Sequence, residues 1–498
     1  MFCRRPWWGD SRLCSKPASF FWRSKVDLNF ATFNGQGTPK ICNRFERFIE
    51  LHQKDNVFRN MWFECQVALD YYERSSQDVF QFLPLTFSFR THEPRFFDDL
   101  QAFSRLFLAL KEGVVPEKVK PVSQFKDKYG VPHDVYFQFE ITIPQRANVP
   151  SLSSKFQNVN PLQAVIPQTF NQHKNLWILK PSSMSRGRGL ELFTELSQLN
   201  NFLRMYINGY EVKDYKDMKY SDKTNISPSM LSQEPAPERK QQRSKTTHQK
   251  AESTREEEKQ TRNNVSFLHN NTFNTFVIQK YMEDPFLYEG YKFDIRVYAM
   301  MNQYMELHVF REAYVRLSSY KYTLDKLNYY IHLTNNAVQS SCKGYGSLLA
   351  GNIFGISQLE EYGRREGKKP EQPTYMDQIR DTIKLAFDSV YDILNPNHRK
   401  HSFELFGFDF MIDKQHKVYM LECNSGPSLS ESNPFLSSLL HRMLDDMFQL
   451  TVDKLFPPPP QFAAFFKAPS PYKLLQFDDR TNLWDFVHHY PTQNSKKK

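Results

Sequence analysis

At 498 residues the chain is too long for one small core, and its 44 Phe and 25 Tyr can build a sizeable one, so two or three domains with a large enzyme among them are expected. A formal charge of +10 biases it towards acidic partners, whether nucleic acid, an anionic membrane or an acidic polypeptide tail, without choosing among them. The six cysteines form no CxxC pair and no stretch nears the ~18 apolar residues of a membrane span. That argues against a zinc or disulfide scaffold and leaves a soluble, intracellular protein as the expectation.

Residues 1–100 are aromatic-rich, and apolar positions at three- and four-residue spacing from Arg44 to Tyr72 predict a helix within a small N-terminal domain. Val79 to Phe89 is apolar but broken by Pro84, which suits a short strand or loop. Residues 101–175 read as a connecting region, because Ser, Asn, Gln and Pro dominate from 144 to 172. The apolar runs Leu176 to Lys180 and Thr275 to Lys280 predict strands. Between them, residues 213–264 turn to Lys, Arg, Glu, Ser and Thr, so a disordered charged insert is expected to leave and re-enter one domain. Ile379, Ile383, Ala386, Val390 and Leu394 predict a core-facing helix over 377–394, ended by Asn395 and Pro396. A second helix is expected over 437–455, stopped by Pro457 to Pro460, with 458–498 as a tail. Strands and helices together give an α/β (α+β) fold class.

The run from Tyr291 to Val297 carries the most information. In a strand, Lys292, Asp294 and Arg296 share one face while Phe293, Ile295 and Val297 share the other, so one face suits a core and the other charged chemistry. Further on, a turn at 413–416 folds Asp409 back towards Glu422 and Asn424, three hard oxygen donors of the kind magnesium prefers. Carboxylates placed among Phe408, Phe410 and Ile412 would repel each other unless a cation bound them. A cationic strand beside such a hairpin reads as a nucleotide-phosphate site; a structural hairpin with incidental acids is the alternative. Lys180, Arg186, Gly187, Arg188 and Gly189 follow a strand and suit a phosphate chain, since glycines let the backbone approach closely. Neither Walker A nor GxGxxG is present, and a basic surface turn accounts for the loop as well. Gln279, Lys280, Tyr281 and Met282 end a buried strand, where they meet a purine edge or simply surface. Arg316, with Thr334 and Asn335 beyond it, suits a carboxylate beside a phosphate, or a surface salt bridge.

In this order the motifs KPSSMSRGRG, QKYM, GYKFDIR, VRLSS, HLTNN, ELFGFDF and ECNSGP closely resemble the tubulin tyrosine ligase-like family, over Leu176 to Pro457 with the insert excluded. Phe82 to Thr86 carries a weaker likeness to that family's smaller N-terminal domain. The resemblance implies an ATP-grasp ligase core over 176–457, ATP and Mg²⁺ as cofactors, and ATP-dependent attachment of a free amino acid to a protein carboxylate. Tubulin's acidic C-terminal tail is the usual acceptor. It puts Lys180, Arg186, Gly187, Gln279, Lys280, Tyr281, Met282, Lys292, Asp294, Thr334 and Asn335 on ATP. It puts Arg316 on the amino-acid carboxylate, Arg296 on the transferring phosphoryl group, and Asp409, Glu422 and Asn424 on magnesium, with Arg296, Arg316 and Glu422 as the catalytic set. The implied chemistry runs through an acyl phosphate and needs alignment and cations, with no nucleophile from the enzyme.

Asn336 and Ala337 stand where glutamate-adding members are expected to carry a hydroxyl-bearing pair such as Tyr-Ser. Tyr314 to Ser319 resembles glycine-adding members, while Pro427 to Leu429 leans towards the glutamate-adding ones. Glutamate and glycine both stand as the expected amino acid, with tyrosine third. One rival is an inactive microtubule-binding module, disfavoured because Lys180, Asp409, Glu422 and Asn424 are all present. The other is a nucleic-acid binder, disfavoured because the aromatics alternate as in a core instead of interleaving with Lys and Arg. Microtubules and no nucleic acid are the expected partners, and cytoplasm, cytoskeleton, cilium or basal body the expected places.

Overall fold

The computed structural model describes residues 5, 7, 8, 19–22, 39–72, 79–113, 118–122, 138–142, 174–209, 272–466 and 468–491. The charged insert expected at 213–264 and the polar connection at 144–172 lie outside the described residues.

Two antiparallel sheets carry the fold. The smaller has four strands in the order Thr86–Arg90, Thr275–Lys280, Trp177–Pro181, Glu191–Phe193. The larger has seven, built around the long strand Tyr291–Met301. On one side this strand pairs with Tyr314–Lys321, and on the other with Glu404–Ile412, which continues into the hairpin partner Val418–Ser425. Ile353–Gly355, Glu306–Phe310 and Trp484–His489 complete the sheet. The only parallel strand pair among the described residues is Phe20–Phe21 with Ile41–Cys42, so the architecture is mixed helix and antiparallel sheet, α+β in kind.

The period-2 pattern of the long strand decides what each face meets. Phe293, Ile295, Val297, Ala299 and Met301 enter the main core with Phe406, Phe408 and Phe410 of the neighbouring strand. The helix Tyr375–Asp388 covers this face, its Phe387 ring 5.4 Å from that of Phe406. On the opposite face Tyr298 and Met300 pack with Leu405 and with Leu436, Leu439, Leu440, Met443 and Met447 of the helix Pro434–Leu450. Lys292, Asp294 and Arg296 share that second face beyond the reach of the helix core, and all three are buried. The smaller sheet is covered by the helix Phe96–Lys111, whose Phe103 and Phe107 meet Trp177 and Phe193 at 5.0 and 6.1 Å.

Both predicted late helices are interrupted. The first runs from a capping box, Thr374 with Asp377, to Asp388, and a separate turn Tyr391–Leu394 follows. Val390 leaves the helical region at φ −138° and is fully buried, so the kink carries its side chain into the core. In the second, Thr451 Oγ1 bonds the carbonyl of Met447 at 2.9 Å and separates Pro434–Leu450 from Val452–Leu455. Among the described residues no helix is long and apolar enough to cross a membrane.

Candidate active site

A cleft of about 790 Å³, open solvent included, lies between the two sheets. On the smaller sheet, Trp177–Pro181 runs into a turn in which Arg186, Gly187 and Gly189 all take positive φ, at 62°, 75° and 71°. Gly189 has no alternative, because a Cβ there would lie 2.8 Å from Pro181 Cγ. Lys180 projects from the strand, 7% exposed, and its Nζ donates to Gln279 Oε1 at 2.7 Å. Gln279 is fixed in turn, its Nε2 donating to Thr86 Oγ1 at 2.8 Å.

Across the cleft, Lys292 Nζ donates to the carbonyl of His332 at 2.5 Å and lies 4.5 Å from the centroid of the Tyr281 ring. His332 Nε2 sits 2.8 Å from the carbonyl of Lys326, which can only accept, so Nε2 carries the proton and Nδ1 accepts from the Tyr281 hydroxyl at 2.9 Å. Burial, with Lys292 nearby, pushes His332 down to about 4, which keeps the ring neutral. Among the described residues neither Lys180 nor Lys292 forms an ion pair. Burial pushes Lys180 down to about 8 and Lys292 to about 7.

The larger sheet supplies a charged row. Register places Asp294 opposite Arg316, Arg296 opposite Asp409, and Asp409 opposite Glu422. Arg316 grips Asp294 through Nε and Nη2 at 2.6 and 2.7 Å, and Thr334 Oγ1 donates to the same carboxylate at 2.6 Å. Arg296 grips Asp409 in the same way at 2.5 and 2.9 Å, and Arg316 Nη2 reaches Asp409 Oδ2 at 3.0 Å. Lys54 Nζ lies 3.4 Å from Glu422 Oε2, and Asn424 Nδ2 donates to Glu422 Oε1 at 3.0 Å. The expectation that only a bound cation could hold these acids together is therefore corrected: two arginines and a lysine of the chain already face them.

Burial raises Asp409, with Arg296 and Arg316 opposing. Glu422 is held well below the usual carboxylate range; burial works against this, and Lys54 and Asn424 outweigh it. Among the described residues no three His, Cys, Asp or Glu side chains gather as a metal group. An ionised Glu422, Asp409 and the amide oxygen of Asn424, which accepts no bond among the described residues, are nonetheless hard donors that fit magnesium.

Lys180, Arg186, Gly187, Gln279, Lys280, Tyr281, Met282, Lys292, Asp294, Thr334, Asn335, Asp409 and Glu422 all line the cleft. Arg296, Arg316 and Asn424 adjoin it through Asp409, Asp294 and Glu422. Lys280 meets the cleft without its charge, because its ammonium is bonded to Glu283 at 2.6 Å and to the carbonyl of Leu176 at 3.0 Å. Sequence reasoning missed Lys54, the first residue of the helix Lys54–Tyr72. Its Nζ donates to the carbonyl of Met184 at 2.7 Å, so it ties the glycine-bearing turn to Glu422. No local pattern around it signals that role.

Two buried ammoniums that form no ion pair among the described residues, lining an open cleft with acidic side chains, suit a polyanionic ligand. The model of the Tubulin-tyrosine ligase family matches residues 132–460, more than half of the chain, and the chain belongs to that family. It is similar to the human Protein monoglycylase TTLL8, with 34% identity over 36% of this chain and 22% of the relative. It is similar to Tubulin glycylase 3B of Tetrahymena thermophila, with 27% identity over 57% of this chain and 19% of the relative. It is similar as well to the mouse Probable tubulin polyglutamylase TTLL9, with 29% identity over 54% of this chain and 52% of the relative. The chain thus spans about half or less of the curated relatives that it matches.

Proposed function

We propose that this chain is an ATP-dependent ligase with an ATP-grasp core over 176–457, attaching glutamate or glycine to carboxylates of the tubulin C-terminal tail. The observation that supports this most is the pair Lys180 and Lys292, buried and without ion pairs among the described residues, opposite Asp409 and Glu422. A triphosphate satisfies the first pair and a magnesium ion the second. The names of the relatives, glycylases and a polyglutamylase, support tubulin as acceptor and these two amino acids.

Magnesium ATP supplies the phosphoryl group that activates the acceptor carboxylate, and the amine of the amino acid then displaces phosphate to form the amide. The chain's own residues hold and orient. Lys180, Lys292 and the turn at Arg186 and Gly187 bind phosphates, while Tyr281 and Met282 wall the base. Gln279, Lys280, Asp294, Thr334 and Asn335 shape the remainder of the nucleotide site. Asp409, Glu422 and Asn424 hold the metal, and Arg296 faces the oxygens where negative charge builds up. Arg316 spends Nε and Nη2 on Asp294, which leaves Nη1 for the carboxylate of the amino acid. Residues 1–100 act as a smaller N-terminal domain, and the place of action is the microtubule cytoskeleton, cytoplasmic or ciliary.

Microtubules incubated with the protein, magnesium ATP and labelled glutamate, glycine or tyrosine test this directly. Incorporation of one label that requires ATP is the expected result. Failure of all three labels removes the ligase activity on tubulin.

A further inference from the structure

Between Tyr329–His332 and Asn336–Gln339, two helices of a single turn each, the chain leaves the helical region for three residues, Leu333, Thr334 and Asn335. Single turns are marginal in water, and this stretch pairs with no strand among the described residues, so side chains must set its place. It nonetheless carries one wall of the cleft. The carbonyl of His332 holds Lys292 Nζ at 2.5 Å, Thr334 Oγ1 holds Asp294 at 2.6 Å, and Leu333, Thr334 and Asn335 face the cleft itself.

One side chain behind that wall reaches back to it. Gln339, the last residue of the second turn, is 1% exposed. Its Nε2 donates to the carbonyl of Leu333 at 2.5 Å and to that of Tyr330 at 3.3 Å, while its Oε1 accepts from the backbone N–H of Ser319 at 2.8 Å. Ser319 lies three residues beyond Arg316 in the strand Tyr314–Lys321. A single amide thus spans from the strand of Arg316 to the residues that flank His332, with both of its hydrogens and its oxygen in use.

We propose that Gln339 is a positioning residue of the nucleotide site. Through Leu333 and Tyr330 it fixes the stretch against the Arg316 strand, which keeps Lys292 at the His332 carbonyl and Asp294 at Thr334. The inference rests on the ligase reading above, in which Lys292 binds phosphate. Small displacements of such groups are costly, because the cations must already stand where the phosphates arrive.

Calorimetry of magnesium ATP binding to the full chain, with a thermal melt at each pH, tests this without depending on ligase turnover. The wild-type chain is compared with Gln339→Glu and Gln339→Met. Protonated, the introduced carboxyl accepts from Ser319 and donates to Leu333; ionised, it donates to neither carbonyl and repels both. Burial lifts its titration above the ordinary Glu value of ~4.3. The ratio of variant to wild-type Kd should therefore be at least ~10 at about pH 8 and fall to within ~3 at about pH 5. Titrating groups native to both chains cancel in that ratio. A role confined to stability would lower the melting temperature and leave Kd of the folded protein unchanged. Gln339→Met, which has no amide to offer at any pH, should bind at least ~10-fold more weakly at both, and it decides the matter if Gln339→Glu does not fold at the higher pH. Wild-type affinity in a folded variant at about pH 8 overturns the inference and leaves the ligase reading standing. A loss in Gln339→Glu that is the same at both pH values does likewise. A wild-type chain that does not bind magnesium ATP overturns both.

Discussion

Lys180 and Lys292 are pushed well below the ordinary lysine range, to about 8 and about 7, because burial penalises the charged form by more than Glu422 and Asp409 on one side, and Asp294 on the other, restore. The unfolded chain keeps those protons to higher pH, so free-protein stability gains from these two groups as pH rises from about 7 towards 10. Nucleotide binding works in the other sense. A triphosphate restores both charges, so ATP affinity should fall as pH rises from about 7 to 9, by up to ~10-fold per pH unit for each lysine that must be reprotonated. Calorimetry in buffers of different ionisation enthalpy should show proton uptake on binding near pH 8, and Lys292→Arg, which stays charged, should lower that uptake. Glu422→Gln should fold, yet shift the magnesium requirement by at least ~10-fold and lose ligase activity, since an amide is a neutral and poorer ligand. Full activity of that variant across a magnesium titration would sink the metal assignment.

Legibility differs residue by residue. Lys292, Asp294 and Arg296 could be put on one face from the sequence because side-chain period in a strand is fixed at two. Which acid each arginine would grip could not, since that depends on register between strands more than twenty residues apart. Lys54 was invisible for the same reason at longer range. Its partners are the carbonyl of Met184 and the carboxylate of Glu422, and only folding brings them together. The acid that takes the Lys280 charge, Glu283, lies only three positions on, across the strand end.

At the level of elements, the hairpin Glu404–Ile412 with Val418–Ser425 was readable because the polar turn that starts at Asp413 separates two apolar runs. Its bulge was not: Asp409 pairs with Glu422 and Phe410 with Met420, so Leu421 is the extra residue, and nothing in the continuous apolar run from Val418 to Leu421 marks it. Gly407 is the tightest point of this element. Gly407→Ala should push Arg296 off Asp409 or lift Pro427, and a loss of ~1–3 kcal/mol in urea melts together with reduced ligase rate is expected. The strand Thr275–Lys280 ends in a different device, the ion pair of Lys280 and Glu283 with both side chains out of solvent. Glu283→Gln removes the charge that faces the ammonium and leaves it the carbonyl of Leu176, at a cost of up to ~3–5 kcal/mol while the amine stays protonated. Lys280 sits at about 8 with Glu283 raising it, and lower without that carboxylate, so this deficit should shrink as pH rises towards 8 and be gone above it; a deficit independent of pH would mean that the pair's geometry matters and its charge does not.

For the molecule as a whole, a net charge of +10 would make encounter with the proposed acidic acceptor tail sensitive to ionic strength. KM for microtubules should rise several-fold between about 50 and 200 mM salt while KM for the amino acid holds, because the proposed amino-acid site is at buried arginines and not on the surface. Initial rates at varied salt check both. The overall class was legible from the order of motifs, each spanning a few neighbouring residues. The contribution of the first hundred residues was not, because it rests on contacts between distant parts of the chain.

The strand Thr86–Arg90 lies well before the stretch that carries the family match, yet it zips along the whole length of Thr275–Lys280. Cutting the gene at the match boundary would therefore strip a flank from the smaller sheet and leave a row of amide and carbonyl groups bare. Such a fragment is a template for its own copies. Light scattering on a 132–460 fragment should reveal clumping that the full chain does not show, and adding back a peptide spanning 79–113 should suppress it.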